Sequence, residues 1–293
     1  MIYHVPVMLK ETLEMLNLKP HKTYLDVTFG GGGHTRAILE SDPTIKVIGL
    51  DWDKEVIERG EALQDEFPDR LTLIWGSFSH LYKLLKKHKI TQVDGILADF
   101  GTSQHQIHTK DGLSFANDTP LDMRMSQAHH KTKAYDIVNY GTAEELRTIF
   151  WTYGEEKNTK EIVNALTEER QKRKIKTTGQ LAAIIKGVSP RRGQKIHPAT
   201  RVFQALRIVV NKELDNITAF LPAALKVLSP GGHLVCISFH SLEDRIVKEY
   251  CKESQGLLKG EVVKPFPVKP TEQEVQENPP SRSAKLRVFE KKV

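Results

Sequence analysis

Up to about residue 100 the hydrophobic positions gather into four short runs, TYLDVTF (23–29), KVIGLD (46–51), LTLIWGSF (71–78) and VDGILAD (93–99), with helical spacing between them. Runs that stay apolar at successive positions are strands buried on both faces, and strand-helix-strand units of this length are right-handed crossovers in a parallel sheet. The pattern predicts a doubly wound α/β fold with a mostly parallel sheet. Ahead of the first run, Val7, Leu9, Leu13 and Leu16 repeat at helical spacing until the turn Leu18-Lys19-Pro20, so a short leading helix is expected.

Beyond residue 100 the strand rhythm stops for about a hundred residues. DIVNYGTAEELRTIFWTYG, TKEIVNALTEERQKRK and TGQLAAIIKG are helical in period and separated by Gly, Thr and Ser-Pro. The earlier pattern then resumes with a long helical stretch from Val202 to Leu228, the turn Ser229-Pro230-Gly231-Gly232, a strand HLVCISF, a helix LEDRIVKEYCK and a last strand KLRVFEK (285–291). Residues 265–280 hold five of the 14 prolines, which predicts an extended loop there. The expected organisation is a core made of residues 1–108 and 201–293, interrupted by an all-helical insertion at 109–200.

Charge adds to this picture through its distribution. The insertion carries 16 basic and 11 acidic side chains, the remainder 27 and 26, so nearly all of the net +6 lies in the insertion. Clustered cations neutralise phosphates and release counterions, which makes Arg170, Lys172, Arg173, Lys174, Lys176, Arg191, Arg192 and Lys195 a candidate phosphate-contacting surface for a polyanion. A solvated helical face is the plainer alternative. Hydrophobic residues at 39% and charged ones at 27% exclude a disordered or fibrous chain. Only Cys236 and Cys251 occur, with no CxxC, so neither a disulfide framework nor a zinc site is expected. No basic-then-apolar leader opens the chain and no run of about 18 uncharged apolar residues occurs. A cytoplasmic protein without a membrane partner is expected.

The first strand ends in Asp26-Val27-Thr28-Phe29-Gly30-Gly31-Gly32-Gly33-His34 and runs into a helix. Glycines at such a turn let a ligand approach the backbone closely. The dinucleotide pattern fails for want of its third glycine, and no Walker lysine follows. What remains, Asp-x-Thr-x-Gly-x-Gly, has the shape of an S-adenosylmethionine loop. Asp51 ends the second strand, where a carboxylate can accept from both ribose hydroxyls; Phe78 closes the third and Asp99 the fourth. A bare tight turn, with Asp51 capping the next helix, is the alternative for the loop.

With these residues in place, the chain resembles the bacterial 16S rRNA (cytosine-N4) methyltransferases nearly end to end. The resemblance rests on HVPVML (4–9), FGGGGH (29–34), GLSFANDTPLDMRM (112–125), YGEEK (153–157), HPATRVFQALRIVVNKEL (197–214), SPGGHL (229–234), ISFHSLEDRIVK (237–248) and SAKLRVFEK (283–291). It implies a Rossmann-like class I methyltransferase core with a helical insertion, S-adenosyl-L-methionine as cofactor, and a decoding-centre cytidine of 16S ribosomal RNA, within the small ribosomal subunit, as methyl acceptor. It further implies that Gly32, Gly33 and His34 line the cofactor loop, that Asp51 takes the ribose, that Phe78 flanks the adenine, that Asp99 lies near the methionine end, and that Gln106 is another cofactor contact. The chain departs from the family pattern at Gln104 and His108, which replace a Ser and an Asp, and at Leu113, where Phe is usual.

Methylation of an exocyclic amine is an in-line displacement that needs alignment and no covalent nucleophile. Methylation at C5 of cytosine would need an activated thiolate, and neither cysteine lies beside an obvious base. Because the N4 lone pair is delocalised, an acceptor for the N4 protons should help, and Asp99 or a carbonyl beside it is the candidate. A splayed-out cytidine needs polar contacts, for which Asp122 and Arg124 of PLDMRM and His240 of FHSLEDR are the candidates. PLDMRM can equally be packing by Leu121, Met123 and Met125 with a local Asp122-Arg124 pair. FHSLEDR also reads as a capping box with Ser241 at the N-cap and Asp244 three residues on, leaving His240 free for function. Two other functions use the same features: methylation of DNA, protein or a small molecule, and a non-catalytic RNA-binding or assembly factor that keeps the cofactor loop.

Overall fold

The computed structural model describes residues 6–102, 107, 109–189 and 197–292. The four apolar runs form β1 (Thr23–Asp26), β2 (Lys46–Asp51), β3 (Leu71–Trp75) and β4 (Val93–Asp99). With β5 (Leu228–Ser238), β6 (Gly260–Val268) and β7 (Lys285–Lys291) they build a sheet in the order β3-β2-β1-β4-β5-β7-β6. The first five strands run parallel, and β7 lies antiparallel between β5 and β6.

Both faces of the central strands are covered, which is why β1, β2, β4 and the second half of β5 are buried at nearly every position. Tyr24, Val47, Leu97, Val235 and Ile237 face a core filled from α1 (Leu9–Met15), α2 (Gly33–Ser41) and α3 (Lys54–Glu66) by residues such as Leu13, Ile38, Leu39, Val56 and Leu63. The alternate residues Leu25, Ile48, Ile96, Leu234 and Cys236 meet α4 (Leu81–Lys87), α10 (Glu213–Val227) and α11 (Ser241–Gly256) through Leu85, Phe220, Leu221 and Val247.

Two expectations need correction. The proline-rich stretch is not a loop throughout: residues up to Val268 belong to β6, and a short helix, α12 (Glu272–Glu277), follows. Strand β6 is tolerant of proline because it is the outermost strand, and Pro265 and Pro267 fall where its pairing with β7 shifts register between Val263 and Val268. The long stretch from Val202 to Leu228 is two helices, α9 (Thr200–Asn211) and α10, broken at Lys212, whose φ is 51°. Cys251, amid the charges of KEYCKE, is buried in the core on the inner side of α11, one turn from Val247.

The chain divides into two compact units, one of Met1–Ser103 with Leu214–Val293, the other of Gln104–Glu213. The second unit is wider than the sequence pattern suggests because α9 packs within it, against α6 (Ala143–Gly154). Its other helices are α5 (Ala134–Tyr140), α7 (Thr159–Lys172) and α8 (Thr178–Val188), closed over Leu146, Phe150, Ile162, Leu166, Leu181, Val202 and Leu206. Among the described residues no helix is long and apolar enough to cross a membrane.

A fully buried asparagine holds the PLDMRM turn to α9. The Asn211 amide donates to the carbonyls of Met123 and Arg207, both at 2.9 Å, and its oxygen accepts from Met125 N–H at 2.8 Å. Asn211→Ala leaves a buried N–H and a buried C=O without these partners, so urea unfolding is expected to show a loss of about 2–4 kcal/mol. A loss below about 1 kcal/mol would mean that the turn is held by packing alone.

Candidate functional site

The carboxyl ends of the parallel strands converge where the strand order reverses, between β1 and β4. Asp26, buried at the end of β1, organises this edge. It accepts from Thr28 N–H at 3.1 Å and from Thr35 Oγ1 at 2.8 Å, so one carboxylate joins the end of the strand, the turn after it and the first turn of α2. Thr28 Oγ1 in turn accepts from Asp99 N–H at 2.8 Å, tying the ends of β1 and β4 together. The Thr28 hydroxyl is thus a structural bridge between the two strand ends. Burial pushes the Asp26 carboxyl up to about 6 against these hydrogen bonds.

The loop from Phe29 enters α2 through Gly32, its N-cap, at φ 73°. A Cβ there would lie 2.9 Å from both Leu63 Cδ2 and Phe29 Cζ, so the left-handed backbone and the close packing both demand glycine. Gly33 opens α2, whose first N–H groups are the donors that a helix leaves without intrahelical partners. Asp51 Oδ2 accepts from Gly30 N–H and Oδ1 from Asp53 N–H, each at 2.9 Å. The alternative in which Asp51 caps the next helix is excluded, since the N-cap of α3 is Asp53. Burial pushes the Asp51 carboxyl up to about 6, with those two N–H bonds opposing.

Rings stand beside these acids. Phe78 packs against Phe220 at 5.5 Å, Phe100 at 5.9 Å and Trp52 at 6.5 Å between centroids. Trp52 and Phe100 directly follow Asp51 and Asp99, so each acid comes with an adjacent ring. The sequence pattern singles out Phe78 alone; the signal for the other two is that aromatic residues follow the terminal acids of two of the apolar runs.

Asp99 differs from the other acids. Its Oδ1 is buried and, among the described residues, has no hydrogen-bond partner, while Gly101 N–H donates to the carboxylate. Burial first, then the charges of Asp26 and Glu243, push this carboxyl up to about 7. A buried, unpartnered carboxylate oxygen at the sheet edge is a built acceptor for a donor that arrives with a ligand.

The remaining candidates fall elsewhere. His34 is buried, and its Nε2 lies 3.1 Å from the Val7 carbonyl, so the ring packs toward the leading segment. Gln106 lies outside the described residues, as do Arg191, Arg192 and Lys195. Asp122 and Arg124 belong to the second unit and grip each other: Arg124 Nε and Nη2 donate to the two Asp122 oxygens at 2.6 and 2.8 Å, while Leu121, Met123 and Met125 are buried. The local pairing is thus the arrangement present. His240 is not free. It is itself the N-cap of α11, one residue before the expected cap, because Glu243 N–H reaches its Nδ1 at 3.4 Å and its Nε2 sits 3.1 Å from Glu243 Oε1. Asp244, expected in the capping box, is engaged by Arg287 at 2.7 Å and Lys285 at 3.0 Å.

S-adenosyl-L-methionine fits the donor set of the first unit. A glycine loop at a helix N-terminus, a carboxylate at the end of β2 and the apolar ring cluster around Phe78 are complementary to an amino-acid chain, a ribose diol and a purine. A cysteine nucleophile does not fit. Cys236 and Cys251 are both buried, burial pushing the first thiol well up and the second to about 12.

Comparison with known proteins agrees with this geometry. Ribosomal RNA small subunit methyltransferase H of Sulfurihydrogenibium sp. (strain YO3AOP1) is 45% identical over 290 residues, 98% of this chain and 99% of that protein. The proteins of the same name from Persephonella marina and Thermotoga neapolitana are 43% and 44% identical, each over 98% of this chain and 99% and 96% of their own lengths. The sequence model of the MraW methylase family matches residues 1–292. The chain therefore belongs to the MraW methylase family.

Proposed function

We propose that this protein transfers a methyl group from S-adenosyl-L-methionine to the exocyclic N4 of a decoding-centre cytidine in 16S ribosomal RNA, acting in the cytoplasm on the small ribosomal subunit. The observation that carries the reading is the full-length likeness to relatives named as small-subunit ribosomal RNA methyltransferases, and the carboxyl edge of the sheet supports it.

When bound, S-adenosyl-L-methionine supplies an electrophilic methyl on a positively charged sulfur. Asp51 accepts from the ribose hydroxyls while its oxygens stay fixed by Gly30 and Asp53 N–H. Phe78, with Trp52 and Phe100, gives the adenine an apolar wall and excludes water. Asp99 Oδ1 accepts an N4 proton of the cytosine, which concentrates the lone pair on nitrogen as the new bond forms, and the proton released remains on that oxygen. A carboxyl near 7 suits both tasks, being ionised before transfer and able to hold a proton after it. Asp122 and Arg124 could contact a cytidine only by exchanging each other as partners, whereas His240 Nε2, 3.1 Å from Glu243 Oε1, makes no hydrogen bond among the described residues.

The test is transfer of labelled methyl to small subunits that lack the modification. Label in N4-methylcytidine is the expected product. Label at C5 or on protein, or cofactor binding with no transfer, would replace this reading by another acceptor or by an assembly factor.

A further inference from the structure

The second unit carries an exposed aromatic ring inside a cationic frame. Tyr140, the last residue of α5, is 63% exposed, and Lys174 Nζ stands 4.3 Å from the centre of its ring. Residues 170–176, Arg-Gln-Lys-Arg-Lys-Ile-Lys, contain five cations and no acid.

The structure separates these five cations by role. Arg170 Nη1 donates to the carbonyls of Val138 and Gly141, at 2.9 and 2.7 Å, bracketing the backbone on either side of Tyr140. Arg173 is paired with Glu169 at 2.6 Å. Arg170 is thus committed to the backbone and Arg173 is partly neutralised by Glu169, which narrows the surface expected from the sequence. Lys172, Lys174 and Lys176 are exposed and, among the described residues, have no carboxylate in ion-pair range.

The backbone that presents them is held on both sides. The Asn139 side chain donates to Ile175 O at 2.8 Å and accepts from Ile175 N–H at 2.9 Å, and Lys176 O accepts from Leu121 N–H at 2.9 Å. Ile175 is 1% exposed, so in this extended segment its neighbours Lys174 and Lys176 point the other way, into solvent. Residues two apart on an extended chain are separated by about 6.6 Å, comparable to the spacing of successive phosphates in an extended single strand.

We propose that Tyr140 with Lys172, Lys174 and Lys176 is a docking platform for a single-stranded stretch of the RNA substrate, one base stacking on the ring and the adjoining phosphates meeting the lysines. The inference rests on the RNA-acceptor reading and deepens it by naming a contact surface on the unit that lacks the glycine loop. Stacking on an exposed tyrosine is tolerant of base identity, and the lysines add a salt-dependent, sequence-independent attraction. The platform therefore contributes affinity and orientation, while base selection is left to the methyl-transfer site.

The experiment compares full-length wild type with Tyr140→Ala, Tyr140→Phe and a Lys172→Gln/Lys174→Gln/Lys176→Gln variant. Binding to unmethylated small subunits is measured over a salt series, beside methyl transfer and cofactor affinity. Tyr140→Ala is expected to weaken subunit binding by about 5–100-fold, with cofactor affinity unchanged and kcat at saturating subunit within about twofold. Tyr140→Phe keeps the ring and should restore binding. The triple variant should flatten the slope of log K against log salt by about 2–3. If both the Ala and the triple variants bind like wild type while methyl transfer proceeds, the platform is overturned and the acceptor reading stands. If they lose binding as expected while wild type transfers no methyl, the platform stands and the acceptor reading falls. Wild type that binds no subunit overturns both, and a photo-cross-link from position 140 to a ribosomal protein rather than to RNA overturns the platform.

Discussion

Asp99→Asn is expected to lower kcat for methyl transfer by about 10²–10⁴-fold, the range for loss of a positioned general base, with the fold intact. Asparagine keeps the shape and can still accept from Gly101 N–H, but it can neither draw a proton from N4 nor keep it. The wild-type rate should rise with pH through about 7, as the carboxyl held there by burial and by Asp26 and Glu243 ionises. The variant should lose that limb. Stability should move in the opposite sense. With a folded-state pKa near 7 and an unfolded value of 3.8, the folded chain holds the proton more tightly, so this group's contribution declines as pH rises from about 4 to 7 and is level above. Asp99→Asn removes the burden of a buried charge, and at pH 8 its unfolding free energy should exceed that of wild type by on the order of 1–4 kcal/mol, the difference shrinking toward pH 4. Thermal unfolding across pH, beside single-turnover rates, checks both halves. A variant with wild-type kcat would remove Asp99 from the chemistry.

Asp51→Ala is expected to raise the dissociation constant for S-adenosyl-L-methionine by about 10–100-fold, corresponding to loss of one or two charge-assisted hydrogen bonds. The variant also strips Gly30 N–H and Asp53 N–H of their acceptor, so the glycine loop should loosen. Equilibrium binding at a temperature where circular dichroism shows the variant folded separates affinity from unfolding. At saturating cofactor most of kcat should return if, as proposed, Asp51 holds the ribose end and not the transferred methyl. An unchanged dissociation constant would reject the ribose role and leave Asp51 as the residue that ties the glycine loop to β2.

The parallel half of the sheet was legible because a strand covered on both faces leaves a continuous apolar run, and runs this short, bounded by turn residues, are too brief for a buried helix. Strand β6 was not, since Pro265 and Pro267 argue against pairing everywhere except at an outer edge, and only the strand order reveals where the edge is. Of the site, the residues at strand ends were readable from position alone: Asp51 and Asp99 end their runs, and Gly32 sits at the turn. What position cannot give is the state of each group. That Asp51 is doubly engaged while Asp99 keeps an unpartnered oxygen depends on which N–H groups fold back onto them. The one-residue shift of the α11 cap to His240 has the same origin, as Ser-x-x-Asp and His-x-x-Glu overlap in the sequence and Asp244 is claimed by Arg287 from the distant strand β7. Likewise the basic run is uniform in sequence, yet Arg170 is a backbone clamp and Lys174 is not.

N4 methylation of small-subunit ribosomal RNA is read by nucleoside mass spectrometry of that RNA from cells with and without this gene, followed by addition of the protein and S-adenosyl-L-methionine to the unmodified subunits. The expected result is loss of one N4-methylated cytidine in the deleted strain and its return on addition of wild-type protein but not of Asp99→Asn. An identical nucleoside profile in the two strains, from protein that binds the cofactor, would contradict the claim.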